Sequence, residues 1–419
     1  MNLNVQEYLR THSLNDLSRD HGVRSRISQC GRKVSLSYGK TDVRDDDVVA
    51  QECRGLVLAR ARFEGVAFSE DAPVGDTLVL ALPFHRFFNH GQAAAEVFDL
   101  RDSVIYEKVD GTLCIVYFDP FADRWCVATR GVPDADVAIG SWAGDLTFAG
   151  LFENTLRAVV GGHEGLTPAE FFQTWARGCL VTSNTYLFEL CTPLNRVVVR
   201  YTRPLLFHLG TRNLFTGEEF RSGGLPGVPA CPELLRVASI ESLVEFVLSR
   251  DPGAHEGVIA CLPRSHPRGF ARVKVKNPEH LALSRLKDET ASPRGAMTLV
   301  LGGHLSDEVL EIMDPDVREW ASRMDDLFKK ARGAHVKGYV ETMNAIAHID
   351  READPKGHRK AFAVLARENP HIHFAAAMEQ YQGRCDGLNT FVENARDPAT
   401  GKWSPSFVDG LIAWLEASS

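Results

Sequence analysis

The hydrophobic pattern of this 419-residue chain changes its period near residue 286. Before that point, short strand-like apolar runs alternate with turn signals; the clearest runs are 78–82, 113–117, 197–199 and 257–260. After it, apolar residues recur at helical spacing in the segments 317–328, 336–349, 357–367, 371–382 and 406–416. A chain of this length is typical of two or three domains. We therefore predict a strand-rich domain at residues 1–288 and a separate helical domain at residues 289–419.

The strand-rich part does not alternate strands and helices regularly. Helical patterns interrupt it only around 145–160, 168–177 and 239–250. A regular alternation would favour a doubly wound parallel sheet, so its absence favours antiparallel pairing. The predicted fold class is therefore α+β, with an antiparallel-sheet domain followed by an all-helical C-terminal domain.

Composition and charge narrow the class of protein. No apolar run approaches the roughly 18 residues that a membrane span needs, and residues 1–7 lack the features of a signal peptide. The nine cysteines include no C-x-x-C pair, so we expect neither a zinc site nor a disulfide framework, and we expect a reducing cytoplasm. The net charge of −8 disfavours a protein that coats nucleic acid. It leaves room for an enzyme with a local basic groove.

The first chemical signal is Lys108-Val109-Asp110-Gly111, directly before the strand-like run 112–117. A lysine attacks phosphorus only as the free amine, so burial or neighbouring cations would have to lower its pKa. A lysine fixed beside an Asp-Gly turn and facing other lysines across a pocket would meet that need. The alternative for this motif alone is a surface hairpin turn.

An ordered set of charged residues follows Lys108. Glu189 in Phe-Glu-Leu and Glu256 in Glu-Gly-Val-Ile would each hold a ribose hydroxyl or a hydrated metal ion. Lys274 and Lys276 lie two apart in a strand-like run, so both would face one triphosphate. Each position alone has an ordinary alternative, an exposed carboxylate or two solvated lysines on an edge strand. The ordered series favours phosphate chemistry.

This series resembles the covalent nucleotidyltransferase superfamily of ATP-dependent DNA ligases, RNA ligases and mRNA capping enzymes. Further elements narrow the resemblance to the phage-type RNA ligases that repair broken tRNA. These elements are Glu52-Cys53-Arg54-Gly55, Phe84-His85-Arg86-Phe87-Phe88-Asn89, Thr129-Arg130-Gly131 and Leu209-Gly210-Thr211-Arg212-Asn213 with Thr216-Gly217-Glu218. The resemblance covers roughly residues 40–285, and it implies an ATP-grasp-like ligase fold for the first domain.

The resemblance also implies roles for single residues. Lys108 would accept AMP, with Glu189, Glu256, Lys274 and Lys276 completing the catalytic set, and Glu256 would hold a metal ion through water. The residues implied to bind ATP are Arg54, Arg86, Phe88, Glu107, Asp110, Gly111, Arg130, Leu209 and Ile259. Arg86 stands where the family usually has lysine, and a planar guanidinium is not equivalent to a compact ammonium.

The implied activity is an ATP-dependent RNA ligase that seals a 5′-phosphate to a 3′-hydroxyl through a lysyl-AMP and an RNA-adenylate. ATP and Mg²⁺ or Mn²⁺ would be its cofactors, and RNA, tRNA in particular, its substrate. The helical domain would select the RNA, with Lys356, Arg359 and Lys360 contacting phosphate. The alternatives are a DNA ligase, a GTP-dependent capping-type enzyme, or a non-catalytic RNA-binding protein that keeps the fold. The sequence leaves the oligomeric state open.

Overall fold

The structure is a computed structural model. It describes residues 2–39, 43–61, 67–140, 143–161, 165–221, 223–234, 237, 239–263 and 269–418. Two compact units divide the chain, Met1–Ser284 and Arg285–Ser419. The first carries all the strands found in the described part of the chain, and the second is helical. The predicted α+β class with a helical C-terminal part is confirmed. The functional roles assigned to the two domains remain predictions.

The first unit contains a four-stranded antiparallel sheet near its N-terminus, in the order β1-β2-β3-β4. Its strands are β1 (Val23–Ile27), β2 (Lys33–Tyr38), β3 (Arg54–Arg60) and β4 (Thr77–Ala81). The helices that accompany it are α1 (Asn4–Leu9), α2 (Leu14–His21) and α3 (Val48–Glu52). Buried Leu and Val residues of α1, α2, β2 and β3 form one apolar cluster beneath this sheet. Burial of this apolar surface fixes the start of β3, where Arg54 lies.

A five-stranded antiparallel sheet forms the centre of the unit, in the order β11-β10-β9-β7-β8. Its strands are β7 (Thr112–Asp119), β8 (Arg124–Thr129), β9 (Asn184–Cys191), β10 (Leu205–Asn213) and β11 (Glu219–Phe220). Two amphipathic helices, α4 (Phe148–Val160) and α5 (Pro168–Cys179), pack their Phe, Leu and Trp side chains on one face. On the opposite face, β7 and β9 pack against residues of β3 and β4.

A four-stranded sheet in the order β5-β13-β12-β6 contains or directly adjoins Lys108, Glu256 and the two lysines of the last motif. Its strands are β5 (Phe88–Asn89), β6 (Val104–Glu107), β12 (Gly257–Leu262) and β13 (Ala271–Lys276), and α6 (Ile240–Leu248) packs on it. All pairs are antiparallel except β5 with β13. Gly257 has a φ of +144°, and a Cβ there would lie 2.2 Å from the carbonyl oxygen of Val275. Only glycine therefore fits directly after Glu256.

The predicted strand at residues 197–199 is wrong, whereas the runs at 113–117 and 257–260 lie in strands and the run at 78–82 lies in β4 as far as Ala81. Residues 197–199 form a bend. The backbone N–H groups of Val198 and Val199 both donate to Oδ2 of Asp110, at 2.8 Å each. Because a side chain takes these donors, the β-branched run has no ladder to join.

The second unit is helical from its first residue. Its helices are the end of α7 (Pro278–Thr290), α8 (Pro293–Gly302), α9 (Asp307–Ile312), α10 (Pro315–Ala345), α11 (Pro355–Glu368), α12 (Phe374–Tyr381), α13 (Leu388–Asn394) and α14 (Pro405–Ala417). The predicted stripe at 317–328 and the first part of the stripe at 336–349 belong to one helix, α10, which begins after Asp314 and ends at Ala345; residues 346–349 follow it in turns and a bend. Across the described residues, no helix combines the length and apolar character that crossing a bilayer requires.

Candidate active site

Strand pairing brings the motif ends together at one edge of the sheet β5-β13-β12-β6. Lys108 directly follows β6, and its backbone N–H donates to the carbonyl oxygen of Gly257 at 2.9 Å. Within the sheet, Gly257 pairs with Lys276, and Ile259 pairs with Lys274. Antiparallel pairing therefore places the nucleophile candidate, Glu256 and the two strand lysines beside one another, although 168 residues separate Lys108 from Lys276 (276 − 108).

Glu256 lies between two lysines. Its Oε2 accepts from Nζ of Lys108 at 2.6 Å, and its Oε1 lies 2.8 Å from Nζ of Lys276. The Glu256 side chain is only 8% exposed, so neither ion pair is strongly screened by solvent. Burial would raise the pKa of Glu256, but the two ammonium groups outweigh burial and lower it.

The expectation that the fold itself lowers the pKa of Lys108 is wrong for this structure. Burial alone would lower that pKa, but the carboxylates of Glu256 and Glu189 outweigh burial and raise it. The predicted lysine neighbours are present, yet Glu256 lies closer to the amine. Lys108 is therefore a protonated, ion-paired side chain here. It can become a nucleophile only when another cation offsets the charge of Glu256.

The lysine whose pKa the fold does lower is Lys274. Burial, followed by the positive charges of Arg54, Lys108 and Lys276, lowers its pKa to about 6. Glu189 changes in the opposite sense, because burial raises its pKa to about 7 although Lys108 counteracts that effect. Two neighbouring groups with such shifts, in one concave site, are typical of a functional pocket.

Nine of the residues that the sequence assigned to the site line one pocket of the first unit. They are Arg54, Glu107, Lys108, Arg130, Glu189, Leu209, Ile259, Lys274 and Lys276. Six Lys and Arg side chains line this pocket against two Glu side chains. The pocket is thus suited to a polyanion with an apolar portion, since Leu209 and Ile259 add aliphatic surface.

Aromatic rings, rather than carboxylates, support several of these cations. The guanidinium of Arg54 lies 5.0 Å from the centre of the Phe87 ring, and Nζ of Lys274 lies 4.7 Å from the same centre. Arg130 stacks on Tyr38 at 4.1 Å and donates to the Tyr38 carbonyl oxygen at 2.6 Å. Within the described residues, the buried Nη1 of Arg54 and Nε of Arg130 have no hydrogen-bond partner. Both donors remain available for an anionic ligand.

Sequence reasoning missed part of this lining. The additional residues are Tyr38, Phe84, Phe87, Tyr106, Val109, Leu113, Cys231 and Arg272. Arg272 precedes Lys274 by two residues on β13, so the strand period already indicated that it shares a face with the two lysines. Glu219 pairs with its guanidinium, which stacks 4.0 Å from the Phe84 ring centre.

Arg86 and Phe88 are not among the residues that line this pocket. Arg86 donates to Asp45 at 2.6 Å and lies between two rings, 4.9 Å from the centre of Tyr38 and 4.8 Å from that of Phe88. Through Tyr38 it belongs to the same stack as Arg130. Arg86 therefore supports Tyr38, which lines the pocket, from outside the lining.

Asp110 and Gly111 stabilise the loop after Lys108 and do not line the pocket. Asp110 is 4% exposed and caps the bend at Val198 and Val199. Gly111 packs so closely that a Cβ would lie 2.5 Å from the carbonyl oxygen of Leu190. The close approach explains the glycine of the motif, and the two hydrogen bonds to the bend explain its aspartate.

In the described part of the chain, one group of side chains has ligand atoms close enough together for a metal ion. Asp110, Glu256 and His280 are all buried, and one ligand atom from each lies within 4.8 Å of the others. Carboxylate oxygens suit a hard divalent cation, so Asp110 and Glu256 fit the metal implied for this site. All nine cysteines are free thiols.

Comparison with known proteins gives two sequence relatives, while no family model matches. The chain is 26% identical over 285 residues to the "Putative bifunctional polynucleotide kinase/RNA ligase" of Autographa californica nuclear polyhedrosis virus, across 65% of this chain and 36% of the relative. It is 25% identical over 379 residues to the RNA ligase of Rhodothermus phage RM378, across 76% of this chain and 78% of the relative.

Among solved structures, an archaeal ATP-dependent RNA ligase is similar with a TM-score of 0.38 and 11% identity, across 71% of this chain and 69% of that chain. The chain thus spans about a third of the viral relative and most of the phage relative. The resemblance to RNA ligases that the motifs predicted is confirmed by the two sequence relatives.

Proposed function

We propose that this relative of the phage-type RNA ligases is an ATP-dependent enzyme that joins RNA ends through a lysyl-AMP intermediate on Lys108. The observation that supports the proposal best is the position of Nζ of Lys108. It lies in a pocket lined by five other Lys and Arg side chains, 2.6 Å from the buried carboxylate of Glu256. A lone surface hairpin lysine would have no such surroundings.

The proposed reaction has three displacements at phosphorus. In the first, Nζ of Lys108 forms a bond to the α-phosphorus of ATP, the bond to pyrophosphate breaks, and the amine loses its proton. In the second, an RNA 5′-phosphate takes the AMP and frees the lysine. In the third, an RNA 3′-hydroxyl attacks the activated 5′-phosphate and AMP leaves. Each step gathers negative charge on phosphoryl oxygens, so catalysis depends on positioned cations.

The side chains of the pocket suit these demands. Arg54 and Arg130 each present an unpaired buried N–H, and we assign them, with Lys274 and Lys276, to the phosphates. Leu209 and Ile259 provide the apolar surfaces for the adenine, which would lie between them. Glu189 would accept a hydrogen bond from ribose.

Glu256, with Asp110 beside it, would hold a divalent cation, Mg²⁺ or Mn²⁺. Bound there, the cation would compete with Lys108 for the negative charge of Glu256, and it would also neutralise charge on the phosphates. Glu256 and Lys276 would then control the charge of Lys108 and of the carboxylate beside it. Glu256 keeps Lys108 ion-paired until the substrates arrive, and Lys276 keeps the buried carboxylate charged when Lys108 is released.

RNA with 5′-phosphate and 3′-hydroxyl ends is the proposed substrate, with broken tRNA as the specific case. The exposed Lys356, Arg359 and Lys360 of α11 would contact its phosphates. Nine free thiols suit a reducing compartment such as the cytoplasm.

Incubation with α-labelled ATP and a divalent cation tests the proposal. We expect a protein–AMP adduct that Lys108→Ala abolishes while far-UV circular dichroism stays unchanged, since one side chain on a pocket wall contributes little to the core. Persistent labelling of Lys108→Ala would refute the assignment, and the absence of any adduct would favour a non-catalytic RNA-binding protein. Labelling by GTP instead of ATP would indicate a capping-type enzyme. Sealing of nicked DNA in preference to RNA would indicate a DNA ligase.

A further inference from the structure

Glu107 directly precedes the nucleophile candidate, but its carboxylate is committed to two other side chains. Nη1 of Arg250 donates to its Oε2 at 2.5 Å, and Nδ1 of His255 lies 3.1 Å from its Oε1. Nη2 of Arg250 lies 3.0 Å from Nε2 of His255. The family resemblance implies an ATP contact for Glu107, and this geometry gives it a different partner.

The three contacts form a closed ring with one self-consistent assignment of protons. A guanidinium only donates, so Nε2 of His255 must accept from Arg250. Nδ1 of His255 then carries the hydrogen and donates to Glu107. Each donor in the ring thus has a matching acceptor when His255 carries its hydrogen on Nδ1. The side chains are 15%, 21% and 34% exposed for Glu107, Arg250 and His255, so the ring is partly shielded from water.

The ring lies directly beside the catalytic ion pair in sequence. Glu107 contacts His255, and the next residue of each segment makes the pair between Lys108 and Glu256. The same two segments are therefore joined twice in succession. The loop 250–256 between α6 and β12 carries Glu256, and the ring fixes it against the end of β6.

The far side of this loop is held by residues after β13. Nδ1 of His280 donates to the backbone carbonyl oxygen of Pro252 at 2.8 Å, and Nδ2 of Asn277 donates to the backbone carbonyl oxygen of Arg250 at 3.2 Å. The backbone N–H of Asn277 donates to the carbonyl oxygen of Glu256 at 2.9 Å. The loop that carries Glu256 is thus hydrogen-bonded on one side to the segment that carries Lys108 and on the other to the segment that follows Lys276.

We propose that Arg250 and His255 are positioning residues that, through Glu107, hold the loop 250–256 so that Glu256 meets Lys108. This inference rests on the proposed function for its catalytic readout. It assigns Glu107 to the placement of Glu256 instead of to ATP. Loss of the ring would displace the carboxylate that controls the nucleophile, while the phosphate-binding cations across the pocket would remain in place.

Single-turnover formation of the protein–AMP adduct tests the ring in the full-length protein. For Arg250→Met we expect the maximal rate to fall about tenfold or more, with the half-saturating ATP concentration within about twofold of wild type. His255→Phe, which keeps a flat ring without hydrogen bonds, should behave alike. His255→Gln should restore much of the rate, because its amide offers one donor and one acceptor. Arg101→Met, which breaks an exposed pair with Asp99, is the matched control.

Hydrogen exchange provides a readout that does not need activity. The amides of Gly253, Ala254 and His255 are hydrogen-bonded within the loop, so their exchange should accelerate in Arg250→Met and not in Arg101→Met. Unchanged exchange together with an unchanged maximal rate would overturn the proposal. A raised half-saturating ATP concentration at wild-type maximal rate would show instead that Glu107 binds ATP. If the wild-type protein forms no adduct, the proposed function fails, and the exchange comparison still decides whether the ring holds the loop.

Discussion

Lys274 lies in a pocket that already contains the positive charges of Arg54, Lys108 and Lys276. Since burial and these cations lower its pKa to about 6, the side chain is mostly neutral at pH 7 when the pocket is empty. A triphosphate would favour the charged form and raise that pKa again. At the residue scale, ATP binding should therefore draw a proton from solution near neutral pH.

This proton uptake can be measured by calorimetry of ATP binding in two buffers of different ionisation enthalpy. Wild type should take up more protons at pH 7 than Lys274→Arg, because a guanidinium stays charged in both states. The difference should vanish as the pH falls below about 5, where the lysine is already protonated in the empty pocket. The nucleotide's own titration is common to both proteins and cancels. Equal uptake by both would contradict the assignment of Lys274 to the phosphates.

Glu256 and Lys276 give a second prediction at this scale. Glu256→Ala should weaken metal-dependent turnover, because the buried site loses the carboxylate that would hold the cation. Lys276→Ala should lower the rate of adduct formation by more than about tenfold, or about 1.4 kcal/mol of transition-state stabilisation. Rates near wild type in both variants, measured at saturating ATP over a series of metal concentrations, would show that these motifs are misassigned.

The sequence alone could group Lys274 and Lys276 with Glu189 and Glu256 as one candidate site. Charged residues in or beside strand-like runs suit the binding of phosphate and metal ions, and they occur here as an ordered series. Tyr38 and Phe87 were not recognisable in this way. Their contribution is a ring stacked on a guanidinium from a different segment, and one sequence does not contain that pairing. Arg272 could have been identified from the period of two on β13.

At the scale of elements, side-chain hydrogen bonds explain where local pattern fails. Residues 197–199 carry a strong β-type run, yet Asp110 takes two of its backbone donors. The helical insertions α4, α5 and α6, by contrast, follow their amphipathic patterns closely, because their apolar faces are buried against a sheet. An element whose apolar face is buried can be predicted from its sequence pattern. A segment whose backbone donors are taken by a side chain far away in sequence cannot.

The turn after the nucleophile candidate gives a prediction for an element. Gly111→Ala would force a Cβ to 2.5 Å from the backbone of Leu190, and backbone cannot move aside cheaply. We expect a loss of about 1–3 kcal/mol in the free energy of unfolding, and slower adduct formation because the Lys108 loop shifts. Gly178→Ala is the matched control, because nothing lies within 4 Å of a Cβ at this position of α5.

In the control, alanine should stabilise the helix by up to about 1 kcal/mol, since glycine has the greater backbone freedom to lose. Urea unfolding of both variants would measure the two effects with opposite signs. If Gly111→Ala unfolds at the same midpoint as wild type and labels normally, the close packing of this turn has no functional importance.

At the scale of the whole molecule, charge is distributed unevenly. The chain has a net charge of −8, while six Lys and Arg side chains and two Glu side chains line the pocket around Lys108. An acidic exterior opposes indiscriminate binding of nucleic acid, and a basic pocket still attracts a triphosphate or an RNA end. Composition alone disfavours a coating protein, but it could not locate the basic pocket.

The buried apolar clusters are divided between the two units. The clusters of buried apolar residues around Phe152, Leu56 and Val258 lie wholly within the first unit, and those around Met324 and Phe362 lie wholly within the second. Each unit has its own core, so each is expected to fold without the other. Every residue that lines the pocket around Lys108 precedes residue 277. A protein shortened to end near residue 288 should therefore still form the Lys108 adduct.

The same shortened protein should lose rate or preference on structured RNA, because the proposed RNA contacts of α11 are absent. Adduct formation and sealing should be measured on the shortened and the full-length protein, with nicked duplex RNA, single-stranded RNA and tRNA broken in the anticodon loop. In the full-length protein, charge reversal at Lys356, Arg359 and Lys360 should reproduce the sealing defect without affecting the adduct. Unchanged sealing of every RNA would give the helical unit a different task, such as self-association. Loss of the adduct in a shortened protein that remains folded would place the boundary of the catalytic domain further along the chain.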